Sequence, residues 1–267
     1  MLIDTHCHLT YDDLSPQIDD VLARASAAGV KTCITVATSP ADARRAVELM
    51  RSRPAIYMAA GIHPHEAARA TEAEIAALRD LHEGRWADGP PTGRLVAVGE
   101  TGLDFHYDFA PPDRQQEVFR AQLEIACDCE RPISIHARKA EERVCEILAE
   151  YPALRERVVF HCFSRGPDIA QRIFDSGWWV SYTGVVTFQN ADEIRASARV
   201  TPTDRYMVET DAPYLSPIPV RKIKPCEPAF VEHTARFLAT VRGESFDTVA
   251  ASTTANARRF FKLANNA

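Results

Sequence analysis

Residues 95–104 read LVAVGETGLD. Leu95, Val96, Ala97 and Val98 are apolar on consecutive positions, and a glycine and an acid follow. A strand with one wet face alternates apolar and polar residues, whereas a strand covered on both faces does not. The run 95–99 therefore predicts a buried strand of a parallel sheet, with Glu100 at its C-terminal end. CITVA at 33–37 has the same character. Working outward, β-rich runs fall at 2–5, 31–37, 55–62, 132–136, 157–161, 178–182 and 206–209. With 95–99 they make about eight strands. Helical segments lie between them at 16–28, 41–51, 71–83, 113–129, 140–151, 167–176 and 191–198, and two more close the chain at 228–241 and 245–263. Ile18, Val21, Leu22 and Ala25 show the spacing of one helix face. Ser39-Pro40, and Thr71 three residues before Glu74, read as helix starts.

Strands alternating with helices predict the α/β class, and their number favours closure into a (β/α)8 TIM barrel. The runner-up, an open doubly wound sheet, lacks the Gly-x-Gly-x-x-Gly that its dinucleotide version carries after a strand. A single domain over 1–267 is expected, with GRWADGPPTGR at 84–94 as a surface loop.

The 267 residues carry 31 Lys+Arg against 37 Asp+Glu, a formal charge of −6, and 46% are hydrophobic. This excludes a disordered or fibrous chain and argues against coating nucleic acid through bulk charge. Seven cysteines, an odd number without any Cys-x-x-Cys pair, argue against a disulfide framework or a zinc knuckle. The N-terminus MLIDTHCHL lacks the apolar run of a signal peptide, and no stretch is long enough to span a membrane. A soluble cytoplasmic protein that does not engage membranes is expected.

The histidines carry the chemistry. His6 and His8 are two apart at the end of the first strand, so both imidazoles face one way and Cys7 faces the other. His136 and His161 end strands 5 and 6, Glu100 ends strand 4, and Asp211 follows strand 8. In a barrel the C-terminal strand ends share one mouth. A single His near a strand end is more often a hydrogen-bonded structural residue. Recurrence at five strand ends is hard to produce by packing, and uncompensated polar groups there would be costly. His6, His8, Glu100, His136, His161 and Asp211 are therefore expected to bind two divalent ions, with Glu100 able to bridge and Asp211 able to accept a proton from water. Four imidazoles suit Zn, Mn, Fe, Co or Ni more than Mg.

Supporting residues have two readings each. His63 and His65, in GIHPH, either contact substrate or phosphate or belong to a Pro-kinked loop. Asp104 either orients a ligand histidine or caps the GETGLD loop. Glu209 shares a side with Asp211, and Arg138 either holds a phosphate oxygen or forms a salt bridge. Arg221, Lys222 and Lys224 either guide a polyanion or form a solvated loop. Trp178, Trp179, Tyr182 and Phe188 read as packing. No Gly-x-Ser-x-Gly elbow, Walker loop or His-Glu-x-x-His is present.

IDTHCHL at 3–9, GIHPH at 61–65, GETGLDF at 99–105, PISIHAR at 132–138, FHCFS at 160–164 and ETDAPYL at 209–215 together resemble the TatD-type metal-dependent hydrolases, within the amidohydrolase-like barrels. The resemblance covers nearly the whole chain. It implies one ion held by His6, His8, Glu100 and Asp211, and another by Glu100, His136 and His161, with Glu100 bridging. It also implies deoxyribonuclease activity, 3′ to 5′ in some members and often supported by Mg, on DNA that is single-stranded or offers 3′ ends. After ETDAPYL the family's Gly-Lys-Arg-Asn-Glu-Pro-like run is replaced by VRKIKPCEP at 220–228, where only Glu227-Pro228 remain.

The expected function is phosphodiester hydrolysis by metal-activated water, with Arg138 neutralising a non-bridging oxygen. The alternatives are hydrolysis of a C–N or ester bond in a small molecule, and a non-catalytic barrel acting as an interaction module. A bridging Glu100, where related barrels often carry a carboxylated lysine, favours the phosphodiester.

Overall fold

A computed structural model describes residues 1–264. Eight strands run Leu2–Cys7 (β1), Val30–Ala37 (β2), Ile56–Ala60 (β3), Leu95–Asp104 (β4), Ile133–Arg138 (β5), Val158–Phe160 (β6), Trp179–Tyr182 (β7) and Tyr206–Val208 (β8). They form one sheet whose spatial order is the chain order. The end of the series returns to its beginning. Asp211 N donates to His6 O at 2.9 Å, His8 N donates to Ala212 O at 2.7 Å, and Cys7 bridges Ala212 in parallel. This is the (β/α)8 barrel, and most residues of its strands are buried, in keeping with the consecutive apolar residues of runs such as 95–98.

Nine α-helices are seen among the described residues: Ile18–Ala27 (α1), Pro40–Arg51 (α2), Glu72–His82 (α3), Pro112–Asp128 (α4), Glu141–Ala149 (α5), Pro167–Asp175 (α6), Asp192–Val200 (α7), Val231–Arg242 (α8) and Phe246–Phe261 (α9). Their starts follow local chemistry. Ser39 accepts from Asp42 N before α2, where Pro40 occupies the first turn. Thr71 and Glu74 form a reciprocal capping box at α3. Two expected helices begin later than their patterns suggest, because a 3-10 turn precedes each, at Ser15–Gln17 and Pro228–Phe230. None of the helices is long and apolar enough to cross a membrane.

The chain gathers into two compact units: Met1–Thr35 with the chain from Cys162 on, and Val36–His161. In the first, Asn256 of α9 donates to the carbonyls of Thr203 and Tyr206, each at 2.8 Å, pinning the helix to the start of β8. In the second, Leu103, Ile135 and Phe160 are fully or nearly fully buried. Each such side chain contributes roughly 1.5–3 kcal/mol relative to exposure.

β4 is longer than its apolar run. Gly99 and Gly102 take φ of 130° and 138°, a region few side chains adopt. A Cβ on Gly99 would lie 2.5 Å from Ser134 O, and one on Gly102 would overlap His136 O. These glycines let β4 press against β5 for its full length, in a register that pairs Gly102 with His136 and Asp104 with Arg138. Glu100 therefore sits inside the strand rather than at its end.

Candidate metal centre

In the Val36–His161 unit the histidines gather on Glu100. Its Oε1 lies 2.7 Å from His161 Nε2, 2.8 Å from His136 Nδ1 and 3.3 Å from His63 Nε2. Glu100 is 3% exposed. Burial opposes its ionisation, but the electrostatic interactions with His161 and His63 and hydrogen bonds from His136 and His161 hold its carboxyl well below the usual carboxylate range. Behind His136, Asp104 Oδ2 meets His136 Nε2 at 3.0 Å and His65 Nε2 at 2.9 Å. Burial lowers the His136 pKa, and the hydrogen bonds to Asp104 and Glu100 outweigh it and raise the value above normal.

The Asp104 carboxylate makes two sets of contacts. Oδ2 orients His136, while Oδ1 accepts from His106 N at 2.8 Å and Tyr107 N at 3.1 Å. Gln115 of α4 closes the loop base, accepting from Asp104 N and donating to the carbonyls of Asp104 and Ala110.

His63 differs from the other imidazoles. The 3-10 turn Pro64–Glu66 folds His65 N back onto His63 Nδ1 at 3.0 Å, so Nδ1 accepts. Burial pushes the His63 pKa down to about 4 despite the nearby Glu100 charge, so the ring is neutral and its proton sits on Nε2, aimed at Glu100. His63 is a hydrogen-bond donor in this arrangement.

In the other unit, His6 lies within β1 and His8 follows it. Their Nε2 atoms approach Asp211 Oδ1 at 3.8 and 3.4 Å, and the two rings are 5.1 Å apart, edge to face. Tyr11 stacks on His8 at 4.7 Å. Asp211 has φ of 59°, a left-handed backbone held by its N–H bond to His6 O. Beneath it, Asp4 accepts from Thr210 N at 2.9 Å and Thr210 Oγ1 at 2.6 Å. Burial pushes the Asp4 carboxyl up to about 8; the Thr210 hydrogen bonds oppose the rise, and the Glu209 charge adds to it. Glu209 is buried and accepts from Thr5 Oγ1 at 3.2 Å and Cys162 N at 2.7 Å.

Arg138 at the end of β5 is exposed, with its guanidinium 4.7 Å over the Tyr107 ring. Arg221 lies 4.2 Å over Phe188, and Lys222 and Lys224 are exposed. Glu227 pairs with Arg24 at 2.8 Å, so it anchors the 220–228 segment rather than presenting a charge to solvent. Trp178, Trp179 and Tyr182 are buried. Several contributors were not singled out from the sequence: His65 as a partner of Asp104, Asp4 beneath Thr210, Tyr11 against His8, and the exposed Tyr107 and Phe109 beside His65. Only His65 carried a signal, its spacing of two from His63.

The donor chemistry fits a divalent cation. Glu100, His136 and His161 offer ligand atoms within 4.8 Å of one another. An ionised carboxylate with imidazoles, backed by a second carboxylate on the far nitrogen of one ring, is the composition of nitrogen and oxygen metal sites.

Residues 3–262 match the family described as TatD related DNase. The chain belongs to the TatD family. Its relatives include the "Uncharacterized metal-dependent hydrolase YabD" of Bacillus subtilis, 36% identical over 98% of this chain and 100% of YabD. Another is the "3'-5' ssDNA/RNA exonuclease TatD" of Salmonella typhimurium, 34% identical over 98% of this chain and 99% of that one. The crystal structure of YJJV, a TatD homologue from Escherichia coli, superposes with a TM-score of 0.91 at 28% identity, covering 98% of both chains. This TatD-family chain is thus a member of a family of metal-dependent hydrolases.

Proposed function

We propose that the protein is a divalent-metal-dependent phosphodiesterase that trims nucleic acid from 3′ ends, single-stranded DNA in the first instance, and that it works in the cytoplasm. The observation that carries the metal chemistry is the buried, ionised Glu100 with imidazole nitrogens of His161 and His136 at 2.7 and 2.8 Å and Asp104 behind His136. The nucleic-acid substrate is supported by the name of the 34% identical Salmonella relative and by Arg138, exposed at the end of β5. Seven free cysteines accord with a reducing compartment.

His6, His8 and Asp211 would hold one ion, and Glu100, His136 and His161 the other. A bound ion lowers the pKa of water toward neutrality and stabilises charge on the phosphoryl oxygens. His136 would donate a hydrogen bond from Nε2–H to Asp104, which leaves the lone pair of Nδ1 toward the ligand position. His63 keeps its Nε2 proton and donates it to an oxygen of the substrate or of Glu100. Asp211 accepts a proton from the attacking water, and Arg138 binds a non-bridging phosphate oxygen.

The test is a reconstitution of metal-free protein with Mg, Mn, Zn, Co, Ni or Fe(II), assayed on 3′-labelled single- and double-stranded DNA. Stepwise loss of 3′ nucleotides with at least one ion is the expected result. Intact strands with every ion, together with turnover of an amide or lactone, would replace the nuclease with a small-molecule hydrolase.

A further inference from the structure

The β4–α4 loop places aromatic surface beside the histidine cluster. Tyr107 is 41% exposed and Phe109 59%, although large aromatic side chains are normally drawn inward. Their rings lie 5.3 Å apart at 42°. Phe109 leans on His65 at 4.6 Å, and His65 bonds to Asp104 at 2.9 Å. The opposite flank is positively charged, since Arg138 rests over Tyr107. The loop is tied at its base: Asp104 Oδ1 holds the N–H groups of His106 and Tyr107, and Phe105 N donates to Arg138 O at 3.0 Å. The same carboxylate fixes His136, so the aromatic surface and the histidine cluster are joined through one side chain.

Resting on the reading of the protein as a nuclease, we propose that Tyr107 and Phe109 form a stacking platform for a nucleobase of the single-stranded substrate, with Arg138 binding the phosphate beside that base. Three physical points support it. First, every base offers a π-face, so stacking grips a strand of any sequence and contributes roughly 1–3 kcal/mol per base. Second, the chain carries a formal charge of −6, and Asp108 in the same loop is exposed, so bulk charge does not hold a polyanion here. Third, the platform is tied down before the substrate arrives, so little loop ordering is needed on binding. Stacking needs an unpaired base, which makes the platform a selector for single strands.

The experiment compares a fluorescein-labelled oligothymidylate with a strand of equal length whose 3′-terminal nucleotides are abasic. Binding is read by anisotropy in EDTA, and cleavage is read separately with the activating ion. The wild-type protein is expected to bind the base-bearing strand roughly 5- to 150-fold more tightly, the range set by one stacked base. Tyr107→Leu and Phe109→Leu should each narrow that ratio, and the double variant should bring it close to one. The abasic comparison uses wild-type protein, so it does not depend on how the variants fold. Equal binding of both strands by the wild type overturns the platform while leaving the nuclease reading to its own test. A ratio that survives in the double variant overturns the assignment to these two rings. A base preference without any cleavage supports the platform and counts against the nuclease.

Discussion

Replacing Asp104 with Asn tests the link between the histidine cluster and the loop above it. The two side chains are nearly isosteric. Asn can keep its carbonyl oxygen where Oδ1 accepts from His106 N and Tyr107 N at 2.8 and 3.1 Å, so the loop should keep its conformation. The amide NH2 then occupies the place of Oδ2, which faces His136 Nε2 at 3.0 Å and His65 Nε2 at 2.9 Å. An NH2 group cannot accept a proton, so His136 Nε2 must become the acceptor and the ring proton moves to Nδ1. That nitrogen lies 2.8 Å from Glu100 and is the one proposed above to bind a cation. Loss of such an outer carboxylate typically costs 10- to 100-fold in metal affinity or activity, about 1.4–2.7 kcal/mol. Calorimetric titration of metal-free protein with Zn and Mn measures the affinity, and initial rates on a labelled strand measure activity. Asp104→Asn should show the loss with its melting temperature little changed, and Asp104→Ala should also loosen the loop. Wild-type affinity and rate in a well-folded Asp104→Asn protein would refute the proposed tautomer control.

Asp211→Asn and Glu100→Gln should each lower hydrolysis by at least about 100-fold while circular dichroism stays native, since each removes an anionic group from the proposed chemistry; a variant retaining more than a tenth of the wild-type rate counts against its assigned role. Chelation should abolish activity, and restoration by one ion but not others would name the working metal. Gly102→Ala should cost at least about 3 kcal/mol by denaturant unfolding, because its φ of 138° is hostile to a side chain and a Cβ would overlap His136 O; a loss under about 1 kcal/mol would show that β4 can shift freely. His82 of α3 is buried neutral, with Nε2 bonded to Ala60 O at 2.9 Å, and burial pushes its pKa from 6.5 down to about 4. The unfolded chain therefore binds a proton here that the folded chain refuses, so this contribution is complete above pH 6.5 and declines as the pH falls toward 4, by about 3 kcal/mol at most. His82→Gln should flatten that slope, and an unchanged slope would place the acid sensitivity elsewhere.

Much of this architecture was legible because strands covered on both faces are rich in consecutive apolar residues, as CITVA at 33–37 and LVAVG at 95–99 are. The proposed ligands were legible for a related reason: a polar residue closing an apolar run stands out, as His136 does in ISIHAR. The true extent of β4 was hidden. Gly99 and Gly102 look like breaks in a strand, and only the close approach of β5 shows why they continue it. His65 was obscured by Pro64, which suggested a loose loop where a tight 3-10 turn sets both imidazoles. Tyr107 and Phe109 carried no signal, since exposure depends on which side of the loop base Asp104 and Gln115 tie down. Asp4 gave no signal, because its partner Thr210 lies at the other end of the chain.

The hydrogen bond from Asp211 to the His6 carbonyl also bears on synthesis at the ribosome. His6 and His8 emerge first, and Asp211 only after most of the chain has been translated. A nascent polypeptide thus carries two imidazoles of that set for most of its elongation without the carboxylate that completes it. The left-handed turn at Asp211 gains its clasp only when the last strand returns to the first, so ion capture by the proposed trio would be a late event in the making of the protein, and a prematurely terminated product would lack the Asp211 carboxylate.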